Sequence, residues 1–470
     1  FNKFNPKIMP AKIYSCSFTG LECRIIEIQA DITSGLPNFA IVGLGDVSVQ
    51  ESKERIRSSI KNSGMIFPPT RKTVNMAPAQ LKKQGALFDL PIAVSLLVAS
   101  SQILPSPLYH SVLIGELSLD GHIRPVRGIL PIVQHARERG FKKIFIPKRN
   151  SDEASFVQGI EIYPLTSLAE LIEYCKGTKT ATGAPIIQPI PHRNFDSITK
   201  EKPQHDYYLF TKIIGLEKAK RALTICAAGH HNLLMTGSPG CGKTVLARSM
   251  RALLTDMTEE EIMETTKIFS VSGLLGEENP AIVNRPFREV HHTASRVSIV
   301  GGGANNPKPG EISLSHNGIL FLDEIAEFER HTLDALRQPL EDRYINISRA
   351  NFSVKFPCNF VLVGSMNPCP CGYKQDKKIS CVCTDQQIKN YQKKISGPLL
   401  DRFDIFLEVE KAPIEQVLHA RDISKEELLH TAFKSIKNAQ FMQRERFKNH
   451  QSIRKNSDMD IDEIRKYFTA

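Results

Sequence analysis

The stretch LLMTGSPGCGKTVLARSM, residues 233–250, decides how this chain is read. Leu233, Leu234, Met235 and Thr236 form an apolar run of the kind a buried strand shows. Val245, Leu246 and Ala247 begin material for a packed helix. Between them, GSPGCGKT (237–244) fits G-x-x-x-x-G-K-[ST] in the strand–loop–helix setting that the pattern requires. Gly237, Gly240 and Gly242 let the backbone curl so that successive amides point inward, and the helix N-terminus adds partial positive charge. With Ser238, Pro239 and Cys241 they complete a cradle for the phosphates of ATP. Lys243 can reach the β- and γ-phosphates, and the Thr244 hydroxyl can ligate Mg²⁺. A plain glycine turn is the alternative; the flanking strand and helix argue against it.

Three later segments supply partners. In NGILFLDEIAEF (317–328) an apolar run ends in Asp323 and Glu324. On a buried parallel strand both carboxylates stand at the carboxyl end, where ligands bind in open α/β sheets. Asp323 can hold the Mg²⁺ shell and Glu324 can activate the attacking water. FVLVGSMN (360–367) ends in Asn367, either a turn former or a residue that positions the water. SGPLLDRFDIFLEV (396–409) offers Arg402. Two readings stand for it: a finger reaching a neighbouring subunit's γ-phosphate, or an ion pair with Asp401 or Asp404.

A chain of 470 residues has room for two or three domains. The longest apolar run, LPIAVSLLVAS (90–100), falls short of the roughly 18–20 residues of a membrane span and reads as a buried helix. The first residues lack an apolar signal-peptide region, so a cytoplasmic, membrane-free protein is expected. Phe1 is no initiator, and Met9 would be a natural start. A net charge of +11 hints at an anionic partner such as nucleic acid. Six cysteines are scattered beside apolar residues, as buried fillers in a reducing compartment are.

The expected architecture is α/β throughout. Residues 10–177 form an N-terminal α/β domain with strands at 39–44 and 142–147 and helices at 47–64 and 166–177. Residues 178–205, proline-rich and without period, read as a linker. Residues 206–408 form the P-loop domain with a parallel sheet, and 409–470 a helical lid.

The order of GSPGCGKT, RPFREVHHTAS (285–295), VGGGANNPKPGEISLSHNGILFLDEIAEF (300–328), LRQPLEDRYINISRA (336–350), GSMNPCPCGY (364–373) and SGPLLDRFDI (396–405) resembles the ComM/YifB family of magnesium-chelatase-like AAA+ ATPases. The resemblance covers nearly the whole chain from about residue 10. It implies a ring, a hexamer, with ATP at subunit interfaces, Asn367 as the sensor residue and Arg402 as the arginine finger. It further implies DNA binding and ATP-driven branch migration in natural transformation. The family continues to a sensor arginine in a small-residue-rich helix; the expectation here is a lid cut short at 470, which puts turnover in question.

The N-terminal segments 82–100 and 115–150 are similar to those carrying the serine and lysine of the Lon protease domain. Leu87 and Leu130 fall at those positions, and leucine can neither attack an amide nor accept a proton. A Lon-like scaffold without peptidase activity is implied.

Two features remain. YINISRANFSVKF (344–356) carries two period-2 runs around a short turn, a hairpin with Arg349 at its tip and Lys355 on its flank. It is either a solvated surface hairpin or, on family grounds, a pore element meeting DNA phosphate, sequence-independently, on single-stranded or branched DNA. The glycine-rich stretch 300–315 would be a mobile loop beside it. CPCGYKQDKKISCVC (369–383) gathers Cys369, Cys371, Cys381 and Cys383, either free thiols or a structural S₄ site suited to Zn²⁺. Two further functions compete with the DNA motor: a chelatase-type motor remodelling a protein partner, and a nucleotide-binding factor without turnover.

Overall fold

The computed structural model describes residues 11–43, 47–79, 85–195, 210, 213, 215–276, 278–303, 307–349, 352–374, 376, 378–411, 425–450, 453 and 455–467. The chain divides into two compact units. One comprises Phe1–Ser197, Thr266–Ala281 and Gly303–Lys308; the other comprises Ile198–Thr265, Ile282–Gly302 and Pro309–Ala470.

The first unit is built on a seven-stranded mixed sheet. Its strands are β1 (Ala11–Thr19), β2 (Glu22–Thr33), β3 (Asn38–Val42), β4 (Arg71–Ala77), β5 (Ser111–Leu113), β6 (Lys143–Pro147) and β7 (Glu161–Leu165), in the order β3-β4-β2-β1-β5-β6-β7. The hairpin β1–β2 is antiparallel, and β1, β5, β6 and β7 run parallel. Helix α1 (Val47–Asn62) buries Ile56 and Ile60, and Gly64 follows it at φ +76. Helix α2 (Asp89–Ala99) is buried along Asp89–Leu97, as its predominantly apolar sequence requires. Helix α3 spans Ile129–Glu138, and α4 spans Leu168–Lys176. The Ser167 hydroxyl caps α4 by accepting from the Glu170 amide, and Gly177 ends it in the left-handed region.

Two buried acids hold this unit together. Asp89 accepts from Arg55 Nε at 2.7 Å and from the Leu117 amide at 3.3 Å; burial outweighs the arginine and pushes its carboxyl up to about 6. Glu153 accepts from the Leu130 amide at 2.9 Å and from the Ser270 hydroxyl, and burial raises it too. Leu87 and Leu130 are both buried hydrocarbon.

The stretch expected as a linker, 178–205, is packed on this unit as far as residue 195; residues 196–205 lie outside the described ones. The Ile190 amide donates to Ile162 O at 2.9 Å, Ile187 is buried, and Phe195 stacks on Phe156 at 4.5 Å. Scattered apolar anchors hold it, and these carry no period to read.

The second unit carries a five-stranded parallel sheet. Its strands are β8 (Leu233–Thr236), β9 (Phe287–Val290), β10 (Ile319–Leu322), β13 (Val361–Met366) and β14 (Ile405–Glu408), with the hairpin β11 (Tyr344–Arg349) and β12 (Phe352–Pro357) between β10 and β13. The sheet order is β9-β10-β13-β8-β14, so the phosphate-loop strand lies between β13 and β14. All four residues of β10 are fully buried, each gaining about 1.5–3 kcal/mol over exposure, which favours a central strand over a surface one. Asn232 ties the entry of three strands together. Its amide donates to Asp404 Oδ2 at 2.8 Å, its Nδ2 to Arg402 O at 2.7 Å, and its Oδ1 accepts from the Leu362 amide at 2.8 Å.

Helices α5 (Glu217–Gly229) and α6 (Lys243–Leu253) cover the sheet. The helix α7 (Lys425–Phe447) packs on α5, burying Ile436 in the same core and donating from Gln443 Nε2 to Ala228 O at 2.9 Å. Residues 412–424 of the expected lid lie outside the described ones.

The expected loop 300–315 is corrected in part. Residues Glu311–Leu314 form a short helix with Ile312 buried, and a Cβ on Gly310 would meet Gly301 N at 2.3 Å. Gly310 is there for close packing, whereas Gly301, Gly302 and Gly303 stand at φ +99, +157 and +147. Residues 304–306 lie outside the described ones.

Candidate nucleotide site

The loop between β8 and α6 is shaped by its glycines. Gly240 and Gly242 stand at φ +77 and +91, and a Cβ on Gly237 would lie 2.4 Å from Val409 O. Ser238 and Cys241 are buried; Pro239 and Gly240 face outward. Lys243 opens α6 and folds its ammonium back over the loop, donating to Gly237 O at 2.7 Å and Ser238 O at 3.2 Å. It also donates to Asn367 Oδ1 at 3.3 Å.

Sheet register explains that last contact. Thr236 pairs with Met366, so the loop and Asn367 leave adjacent strands at the same level. Leu322 pairs with Gly364, which brings Asp323 beside Ser365. Thr244 Oγ1 donates to Asp323 Oδ2 at 3.0 Å, and the Ser365 hydroxyl donates to Asp323 Oδ1. Both oxygens of the carboxylate are thereby oriented.

Glu324 follows at φ +51, a left-handed conformation that costs a side-chain-bearing residue about 1–3 kcal/mol. Its amide donates to Asp323 Oδ1 at 3.1 Å and to Ser365 Oγ at 3.3 Å, which holds the strained turn. Its side chain is half exposed, with His292 Nδ1 3.5 Å from Oε2. The register Val290–Leu322 sets that approach, two residues beyond the paired ends of β9 and β10. His291, His292 and Glu324 together form a set of groups close enough to hold a cation.

Sequence reasoning missed Ser365 and His292. Each is signalled only by strand order: Ser365 in GSMN and His292 in EVHHTAS matter once their strands are known to flank β10. Arg285 stands at the entry of β9, and its role is not legible in RPFREVHHTAS. It is buried and donates to Thr255 O at 2.6 Å, Asn317 O at 2.7 Å and Glu261 Oε2 at 2.9 Å, pinning the strand.

Arg402 stands apart from these contacts. Its guanidinium pairs with Glu341 rather than with Asp401 or Asp404, and both side chains are more than two-fifths exposed. Asp404 instead faces His231 Nδ1 at 3.6 Å. The hairpin β11–β12 forms as its alternation requires, with Ile345 opposite Phe356 and Ile347 opposite Val354 on its buried face. Lys355 lies on the exposed face, its ammonium 3.5 Å from the centre of the Tyr344 ring. Arg349 pairs in register with Phe352; its side chain lies outside the described residues.

The oxygen pair of Thr244 and Asp323 suits a hard divalent cation, and the inward-turned loop with its central ammonium suits a polyphosphate. The four clustered cysteines form a second set able to hold a metal. Among the described residues no helix is long and apolar enough to cross a membrane.

Residues 209–417 match the family model "Magnesium chelatase, subunit ChlI", and residues 28–150 match "Subunit ChlI of Mg-chelatase". The competence protein ComM of Haemophilus influenzae is 43% identical over 404 residues, covering 86% of this chain and 77% of the relative. The YifB protein of Escherichia coli is 41% identical, covering 85% and 76%. The magnesium-chelatase 67 kDa subunit of Heliobacterium mobile is 28% identical over 33% of this chain and 27% of its own length.

Proposed function

The chain belongs to the family of magnesium-chelatase-like AAA+ proteins that includes ComM and YifB, and from that premise we propose that it is an ATP-hydrolysing motor acting on DNA. The reading in full is a cytoplasmic hexameric ring that drives branch migration or strand remodelling in recombination during natural transformation. The observation that carries it is the bonded set Lys243–Asn367 and Thr244–Asp323, which brings the ends of three strands together.

The residues then act as follows. The amides of 237–244 and the Lys243 ammonium bind the triphosphate and offset its charge. Thr244 and Asp323 would hold Mg²⁺, which would supply neutralisation of the charge that develops on the phosphates. The Glu324 carboxylate accepts a proton from the attacking water, and Asn367 orients that water. Arg402 reaches the site of a neighbouring subunit. Its pair with Glu341 is exposed and worth at most about 1 kcal/mol, so release toward a phosphate costs little. Arg349 and Lys355 meet DNA phosphates from the hairpin, which gives binding that is sequence-independent and salt-sensitive. In this reading residues 10–177 are a Lon-like domain, 206–408 the AAA+ domain and 409–470 a helical lid; the compact units divide otherwise, with 266–281 and 303–308 in the first.

The chelatase-type motor is the second reading, supported by the Heliobacterium relative over a third of this chain. Phosphate release by the full chain, with and without a four-way DNA junction, separates the two. Stimulation by the junction supports the DNA motor. Turnover indifferent to any DNA overturns it, and absent turnover favours a nucleotide-binding factor.

A further inference from the structure

The function proposed above leaves one built cluster unused. Cys369 Sγ lies 3.4 Å from Cys371 Sγ and 3.6 Å from Cys381 Sγ, and the latter two are 3.5 Å apart. Cys383 Sγ accepts from the Cys371 amide at 3.4 Å, and all four sulfurs fall within 4.8 Å of one another. These separations are far beyond the roughly 2.05 Å of a disulfide. They approach the edge of a tetrahedron with metal–sulfur bonds of about 2.3 Å, whose corners stand about 3.8 Å apart.

The surrounding backbone is arranged for such a centre. Gly372 turns at φ +85, and its amide donates to Cys369 O at 3.0 Å, which folds Cys369 and Cys371 together. The bond from the Cys371 amide to Cys383 Sγ is of the kind outer-shell donors make around thiolates. Thr384, next after Cys383, caps the helix Asp385–Gln392, whose Ile388 and Tyr391 are buried, so the second pair of cysteines is anchored too.

We propose that Cys369, Cys371, Cys381 and Cys383 bind one zinc ion, and that this ion fixes one wall of the nucleotide site. Binding replaces up to four thiol protons by Zn²⁺ and leaves no open coordination position, so the ion is structural. Cys369 lies two residues beyond Asn367, the acceptor of Lys243. A Cβ on Gly372 would lie 2.8 Å from the ring of Pro239, so the CPCG turn lies directly against the phosphate loop. Holding the sulfurs therefore holds the turn, and the turn abuts both the loop and the residue that meets the ammonium. The second half of this proposal rests on the nucleotide reading; the metal site itself does not.

The full chain, grown with zinc and purified without chelator, is expected to carry one zinc ion, with four sulfurs at about 2.3 Å in X-ray absorption. A chain that holds no zinc and gives no tetrahedral tetrathiolate spectrum with Co²⁺ overturns the site, as does an iron–sulfur spectrum. Cys381→Ser/Cys383→Ser should lose the zinc, and Cys383→His should keep it. Zinc loss, with far-UV circular dichroism unchanged, should lower ATP turnover about tenfold or more, since about 1 Å of misplacement can cost about a hundredfold. Stripping the wild-type chain with a mercurial and chelator gives the same readout without substitution. Zinc loss that leaves nucleotide affinity and turnover unchanged overturns the coupling. Lys243→Ala should lose nucleotide binding yet retain zinc, so failure of the nucleotide reading is distinguishable from failure of the metal site.

Discussion

Replacing Ser365 by alanine probes how the acidic end of β10 is held. Ser365 is fully buried, donates to Asp323 Oδ1 and accepts from the Glu324 amide at 3.3 Å. Thr244 holds the other carboxylate oxygen at 3.0 Å. Without the serine hydroxyl, Asp323 Oδ1 keeps only the Glu324 amide at 3.1 Å among these contacts, and the left-handed turn at Glu324 loses one of its two acceptors. A hydrogen bond to a charged group contributes about 1.5–3 kcal/mol. At about 1.4 kcal/mol per tenfold, turnover should fall roughly 10- to 100-fold if the loss is felt in the transition state. The assay is steady-state phosphate release against Mg²⁺ concentration at saturating ATP, for wild type, Ser365→Ala and Ser365→Cys. The Mg²⁺ midpoint should rise for alanine and lie between for cysteine, a weak donor. An alanine variant with wild-type turnover and an unmoved Mg²⁺ midpoint would refute the argument, because a positioning bond cannot be removed without displacing what it positions.

Three further outcomes are expected. Arg402→Ala should lower turnover about 10³-fold or more, and mixing it with Lys243→Ala should restore part of the activity, since a finger acts across subunits; activity is read after mixing the two inactive chains. Lys355→Ala should weaken DNA binding to all sequences alike and reduce the slope of log affinity against log salt by about one, measured by fluorescence anisotropy. Burial raises Asp89 to about 6 from an unfolded value of 3.8. Its protonated form is thus favoured in the folded state, so its contribution is complete below pH 4 and lost as pH rises through 6. Asp89→Asn removes that term, and wild-type stability relative to the variant should fall by about 2–3 kcal/mol between pH 4 and 7, read by denaturant titration.

The sequence made the phosphate loop and the strand-end acids legible because both are local signals. GSPGCGKT carries its own backbone chemistry, and ILFLDE carries its own burial pattern. The hairpin 344–356 was legible for the same reason, through strict alternation. What depends on strand order was not. Ser365 and His292 flank Asp323 and Glu324 only because β13 and β9 border β10. Glu341 as the partner of Arg402 lies 61 positions away on the helix Arg337–Asp342, beyond the reach of any local pattern. The packed course of 178–195 was hidden because three separated apolar residues leave no period. The short helix at Glu311–Leu314 was hidden by the glycines that let its neighbours pack closely.

The central claim, that Glu324 activates water at a triphosphate held by Lys243, is tested most directly with Glu324→Gln. Binding of a fluorescent ATP analogue and single-turnover hydrolysis are measured on the same preparation. Nucleotide affinity should remain within a few-fold of wild type, while hydrolysis falls about 10²- to 10⁴-fold, the usual contribution of a general base. Undiminished hydrolysis by the glutamine variant would contradict the account.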